Sequence, residues 1–210
     1  MSRTSRPSSS STTRATTSSQ RSASPWPSPF PSDPDWSDKV TENASAAKGF
    51  DDLIAANRAY ADSFDMAGFD GIARAGVAIV TCMDSRIDPL GLVGLRPGDA
   101  KIFRNPGGRV DSEALEALVL ATHLLGVERI LVVPHTRCAM ASNSEAELRE
   151  RVGESAGEDA SWMTFHAITD QERALREDLS RVRSHPLIAK GTEVAGFVYD
   201  VDTGLLRQVG

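Results

Sequence analysis

Cysteine is scarce in this chain: Cys82 and Cys138 are the only two among 210 residues. They can close one disulfide at most, so the sequence is no disulfide-built scaffold, and a structural zinc site would normally close with further Cys or His ligands. Long apolar runs are missing as well. No stretch reaches the ~18 to 20 apolar residues that cross a bilayer, and no basic start followed by an apolar segment marks a secretory leader. A general basic excess is absent too. Residues 1–32 carry Arg3, Arg6, Arg14 and Arg21 with no acid; with those four set aside, the 23 basic and 29 acidic residues leave a net charge of −10. Such a balance argues against nucleic acid as a partner, just as the missing apolar run argues against a membrane. A reducing, cytoplasmic setting is expected, where paired cysteines bind metal more often than they cross-link.

What is present divides the chain into two parts. Residues 1–38 are dominated by Ser, Thr, Arg and Pro without helical or strand periodicity, the composition of a disordered tail. The Arg- and Ser-rich, acid-free stretch 1–32 also has the composition of an organellar transit peptide, although a solvated tail is the plainer reading. Residues 39–210 are long enough for one catalytic domain with a real core. From Asn43 to Tyr60 the spacing of Phe50, Leu53, Ile54 and Tyr60 predicts an amphipathic helix. Four short apolar runs then read as buried strands: Val77–Cys82, Lys101–Arg104, Arg129–Val133 and Gly196–Val201. Helical spacing lies between them at 112–125, where Leu115, Leu118, Thr122 and Leu125 share a face before Gly126, and at 169–184, with Leu175, Leu179 and Val182. This alternation predicts an α/β fold: a mostly parallel central sheet flanked by helices. A turn at Asp202–Gly204 leads to an antiparallel edge strand over 205–209.

In open α/β sheets functional groups collect at the carboxyl ends of strands, and both cysteines fall there. Cys82 ends the first run; His135 and Cys138 follow the third, close enough in sequence to face one ion together. Two thiolates and an imidazole make a three-ligand zinc set that leaves a fourth position open, as catalytic sites do. Asp84 and Arg86 follow Cys82 at i+2 and i+4, so an extended segment sends all three side chains to one side. The guanidinium fork can then keep the carboxylate ionised and oriented to accept a hydrogen bond from a water on the metal. Without Arg86, Asp84 could become the fourth ligand. Arg104-Asn105-Pro106-Gly107-Gly108 ends the second run in a turn that lets backbone come close.

Cys82-x-Asp84-x-Arg86, Arg104-Asn105-x-Gly107, the Leu-Gly-Val at 125–127 and His135-Thr136-x-Cys138, in that order, resemble the β-class carbonic anhydrases from about residue 43 onward. The resemblance implies a zinc lyase interconverting carbon dioxide and bicarbonate, with one zinc ion per chain on Cys82, His135 and Cys138. It implies Asp84 and Arg86 as the catalytic dyad. It also implies a homodimer or higher homo-oligomer, with the helix at 43–60 as an N-terminal arm packed across a partner subunit. There are departures from the family pattern. Where a small or acidic residue and then Cys-Gly are usual, this chain has Arg137 and Ala139, which brings a bulky cation to the metal loop and removes a glycine from a tight turn. Pro106 and Pro134 also replace smaller or more flexible residues.

Other readings stand beside this one. The same fold and site could hydrolyse carbonyl sulfide or carbon disulfide, since attack on a linear electrophile is alike. A zinc-bearing but catalytically silent binding or scaffold protein is a third reading, motivated by Arg137 and Ala139. The cysteines could be only buried thiols, and Asp84–Arg86 only a surface ion pair. Three residues between Cys82 and Arg86 are too few for a phosphatase loop, and Gly107-Gly108 lacks the glycine spacing of a dinucleotide fingerprint. His123, His166 and His185 have no spacing that marks a proton shuttle.

Overall fold

The structure, a computed structural model, describes residues 49–210. The expected tail over 1–38 and the first part of the expected arm therefore lie outside the described residues. The elements run α1 (Asp51–Asp62), β1 (Val77–Cys82), a 3-10 turn (Gly91–Val93), β2 (Ala100–Asn105), α2 (Ser112–Leu124), β3 (Arg129–Val133), α3 (Ala139–Ser142), α4 (Glu145–Ala156), α5 (Gln171–Ser184), β4 (Glu193–Tyr199) and β5 (Leu206–Gln208). No described helix is long and apolar enough to cross a membrane.

Strand order is β2-β1-β3-β4-β5; the first four strands are parallel and β5 pairs antiparallel with β4. The expected α/β sheet with its antiparallel edge is thus observed. β1 lies between β2 and β3, and all six of its residues are buried, which is why it reads as an unbroken apolar run. On one face Ala78, Val80, Ile130 and Val132 pack with Leu118 of α2 and with Leu175, Leu179 and Val182 of α5. Each such large side chain contributes roughly 1.5–3 kcal/mol by leaving water. On the other face Val77, Ile79 and Val133 are joined by Val93 and Leu95 from the connection after β1.

Several boundaries differ from the sequence expectation. β4 starts earlier than Gly196 because Glu193–Ala195 pair with Arg129–Leu131, and it stops at Tyr199 because Asp200 Oδ1 accepts from the backbone N–H of Asp202 and Thr203 and turns the chain. In α2 the buried seam is Ala114, Leu118 and Ala121, with Leu115, Thr122 and Leu125 on its flank. Asp111 caps this helix by accepting from Ala114 N, and Gly126 follows its end at φ 71°. α4 is polar and has no buried residue, so no apolar stripe marks it; its local signals are the Ser144–Glu147 capping box and Gly157, which closes it at φ 67°. α1 likewise buries none of its residues, and Phe50, Leu53, Ile54 and Tyr60 are exposed.

Candidate metal centre

The connection leaving β1 goes to β2 on one side and that leaving β3 goes towards β4 on the other, so the carboxyl ends of β1 and β3 form a topological switch point. Parallel pairing through Thr81↔Val133 sets the two ends side by side, and the Thr81 hydroxyl donates to Val133 O at 2.6 Å. Cys82, His135 and Cys138 meet there, all buried, with their ligand atoms within 4.8 Å of one another. The two sulfurs are 3.9 Å apart and both cysteines are free. Thiolates ~2.3 Å from a shared tetrahedral ion stand ~3.8 Å apart, so this spacing fits a metal and is far from a disulfide bond.

His135 is 0% exposed. Its Nδ1 lies 2.8 Å from Thr136 O, the contact of an N–H donor, which leaves the lone pair of the neutral ring on Nε2. That Nε2 is the one buried side-chain N or O atom among the described residues without a hydrogen-bond partner. An orphaned acceptor beside two thiols is the arrangement a divalent ion completes. Tertiary contacts hold the imidazole's backbone in place. His135 bridges to Tyr199, Thr136 N donates to Tyr199 O, Val201 N donates to Thr136 Oγ1, and Gln171 Nε2 donates to His135 O at 2.9 Å. Pro134 costs nothing here, because its carbonyl makes the contact by accepting from Tyr199 N.

The two thiols share one negative charge readily and two reluctantly. The Cys82 thiol is held well below the usual thiol range, chiefly by the Cys138 S–H and also by the backbone N–H of Gly107 at 3.3 Å, against the opposing effect of burial. The Cys138 thiol is pushed up by that same contact, by its own burial and by the neighbouring charge. A cation between the sulfurs removes this repulsion and permits both to be thiolates.

Asp84 and Arg86 do pair, but not along an extended segment. The chain leaves β1 after Cys82 and turns, with Ile87 N donating to Asp84 O. Arg86 then meets Asp84 three times: its backbone N and Nε donate to Oδ1 at 2.9 Å each, and Nη2 donates to Oδ2 at 2.8 Å. This bidentate guanidinium, helped by the backbone N–H, holds the Asp84 carboxyl down to about 2 against some burial, so it is an acceptor at neutral pH. Asp84 Oδ2 lies 3.7 Å from His135 Nε2, at the edge of the three-ligand cluster.

Arg104 and Asn105, which end β2, brace this region. Arg104 Nε donates to Cys82 O at 2.9 Å and its Nη2 to Asp84 O at 2.5 Å. Asn105 Nδ2 donates to Arg109 O and to the capping Asp111, and its Oδ1 accepts from Arg109 N. At Gly108, φ 66°, a Cβ would lie 2.9 Å from Cys82 N, so this close crossing excludes a side chain. Sequence reasoning missed Gln171, the Gly107 N–H and the Arg109–Asp178 pair beneath the turn. Their partners lie between 25 and 69 positions away, beyond any local pattern.

The two departures in the second string have different consequences. Ala139 opens α3 and is not at positive φ, so a glycine's freedom is not needed there. Arg137 is at φ 53°, the left-handed conformation that favours glycine. Its guanidinium is drawn to Asp202, while its carbonyl accepts from Arg86 Nη2 at 3.3 Å. The remaining histidines stand outside the cluster. His123 Nε2 contacts Leu187 O at 2.9 Å, His185 Nδ1 accepts from Leu187 N, and His166 is exposed.

Comparison with known proteins bears on family and fold. The family model described as carbonic anhydrase matches residues 77–206. The chain is 32% identical to Beta-carbonic anhydrase 1 of Mycobacterium bovis over 133 residues, covering 63% of this chain and 81% of that protein. It is 30% identical to a carbon disulfide hydrolase of Acidianus over 155 residues, 62% of this chain and 75% of the other. The crystal structure of a carbonic anhydrase from Streptococcus mutans superposes with a TM-score of 0.70 at 38% identity, over 78% of this chain and 99% of that one.

Proposed function

The chain belongs to the β-class carbonic anhydrase family of enzymes, and from that premise we propose that it catalyses the zinc-dependent, reversible hydration of carbon dioxide to bicarbonate and a proton. The observation that carries the reading is the buried Cys82–His135–Cys138 cluster with a partnerless Nε2 and an ionised Asp84 at its edge. Cys82 Sγ, His135 Nε2 and Cys138 Sγ would hold one zinc ion per chain. Zinc held by three protein ligands supplies Lewis acidity, bringing the pKa of a coordinated water towards neutrality.

The other steps fall to this chain's own groups. Asp84, fixed by three hydrogen bonds from Arg86, is kept from becoming a fourth ligand and accepts a hydrogen bond from the attacking nucleophile. That bond fixes the direction of the remaining lone pair, which adds to the carbon of carbon dioxide. Asp84 has no proton to give at neutral pH, so its part is orientation, and the proton of the net reaction leaves to buffer. Reducing, cytoplasmic surroundings suit thiols that must stay free for the ion. The exposed apolar residues of α1 support a homodimer or larger homo-oligomer in which this arm lies on a second copy. Native mass measurement gives the stoichiometry.

Stopped-flow hydration of carbon dioxide by zinc-loaded protein tests the proposal, with Cys138→Ser and Asp84→Asn as controls. Activity unchanged without the thiolate would overturn it. One zinc per chain with no hydration across a broad pH range would favour the silent scaffold. The similarity to carbon disulfide hydrolase supports a second reading, in which the same site attacks carbon disulfide or carbonyl sulfide. Turnover of these substrates compared with carbon dioxide on one preparation decides between them.

A further inference from the structure

Asp178 is the most deeply buried carboxylate among the described residues, at 1% exposure, and belongs to α5. It accepts from Arg109 Nε at 2.6 Å, Arg109 Nη2 at 3.1 Å and Val110 N at 3.1 Å. Arg181, one turn further along α5, lies 3.9 Å from the same carboxylate and donates to Val110 O. A buried charge is costly unless fully partnered, and every partner of this one except Arg181 comes from the residues just after the Asn105–Gly108 turn. Asn105 grips the other side of that segment through Arg109 N and Arg109 O. The seam between turn and helix, lined by Gly107, Gly108, Arg109, Gln171 and Asp178, has no room for a water molecule. Held from both sides, the turn carries Gly107, whose N–H points at Cys82 Sγ from 3.3 Å.

We propose that the Arg109–Asp178 pair is a positioning element of the metal centre: it fixes the turn so that Gly107 N–H stays bonded to the sulfur of Cys82. This rests on the reading of Cys82 as a ligand. An N–H···S bond withdraws electron density from a thiolate and fixes its direction, so a sulfur without it gives up an electron more easily, and the affinity lost with its positioning outweighs any gain in donor strength. Asp178 and Arg109 do not touch the cluster themselves and act only through the turn.

The test uses the full chain loaded with cobalt(II) or zinc, as parent, Asp178→Asn, Arg109→Lys and Val182→Ala. Asp178→Asn removes the charge with little change of shape. Arg109→Lys keeps a cation but loses the two-pronged contact, and it carries the test where the buried Asn variant does not fold. Val182→Ala destabilises the same helix without touching the turn. In the two pair variants the sulfur-to-cobalt charge-transfer band is expected to move to lower energy, and zinc affinity measured by chelator competition to fall roughly 10-fold. Val182→Ala should keep the parent's band and affinity. Folded pair variants with the parent's band and affinity, or a Val182→Ala that shifts both as they do, would overturn this inference alone. A parent that binds no cobalt through Cys82 would overturn the ligand reading and this inference with it.

Discussion

The Cys82–His135–Cys138 trio and the Asp84–Arg86 dyad beside it are built in opposite ways. Cys82, His135 and Cys138 are buried, and the one buried nitrogen among them has no partner within the chain. Asp84 and Arg86 are partly open to solvent at 20% and 35% side-chain exposure, yet each finds most of its partners in the other, with the Arg137 carbonyl as a further acceptor for Arg86. The first group leaves a buried ligand atom unpartnered; the second is largely satisfied within itself and stands at the edge. Incompleteness in a rigid interior is what binds an ion, whereas self-sufficiency at the edge keeps a carboxylate available without letting it ligate. In the proposed reaction the first group would hold the metal and the second would direct what happens next to it, and substitutions should separate the two tasks.

The largest effect is expected for Cys138→Ser. It puts a weak oxygen donor where a thiolate belongs, so zinc affinity should fall by more than the roughly 10- to 100-fold typical of outer-shell changes, and activity should go with it. Zinc content by elemental analysis and hydration rate on the same sample check this. Asp84→Asn should break the parallel: zinc content of one per chain is retained, while kcat/KM falls roughly 100-fold because the neutral amide cannot serve as the fixed acceptor. A variant that loses zinc instead would show the dyad to be part of the binding site. Arg86→Lys should be milder, with zinc unchanged and a rate loss of roughly 10-fold, since a point charge keeps Asp84 ionised but cannot fork to both oxygens.

The trio was legible in the sequence because its parts sit at the ends of β1 and β3, whose two-sided burial produces apolar runs that match the observed strands residue for residue. The dyad was legible as a pair but not as a conformation. Local alternation suggested an extended segment, whereas the Asp84 carboxylate captures the Arg86 N–H and bends the chain. Ala139 looked like a loss because a tight turn was expected at that point, yet the residue begins a helix. What stayed hidden depends on distant partners: Gln171 under His135, and Asp178 under the glycine turn. Helical periodicity marked Leu175, Leu179 and Val182 of α5 but gave no sign of Asp178 or of the cation that reaches it. The arm is the reverse case. Its apolar spacing was plain, yet among the described residues nothing covers that face.

The smallest expected effect concerns Arg137, which belongs to the trio by sequence and to the dyad by contact. Its backbone carries the left-handed conformation at φ 53°, a strain that glycine would relieve by roughly 1 kcal/mol. Its guanidinium is paired with Asp202 at the surface, a contact of the kind worth about 0–1 kcal/mol. Arg137→Gly removes both at once, so the two changes should nearly cancel in a thermal melt, while Asp202→Asn removes only the attraction and should lower Tm slightly. Arg86 needs the Arg137 carbonyl rather than its side chain, so hydration by Arg137→Gly should stay within about 3-fold of the parent, or roughly 0.7 kcal/mol. A loss approaching that of Asp84→Asn would mean that the Asp202 contact, and not the loop backbone, holds the carbonyl beneath Arg86. The dyad would then owe its geometry to an exposed ion pair and lose the self-sufficiency that sets it apart from the trio.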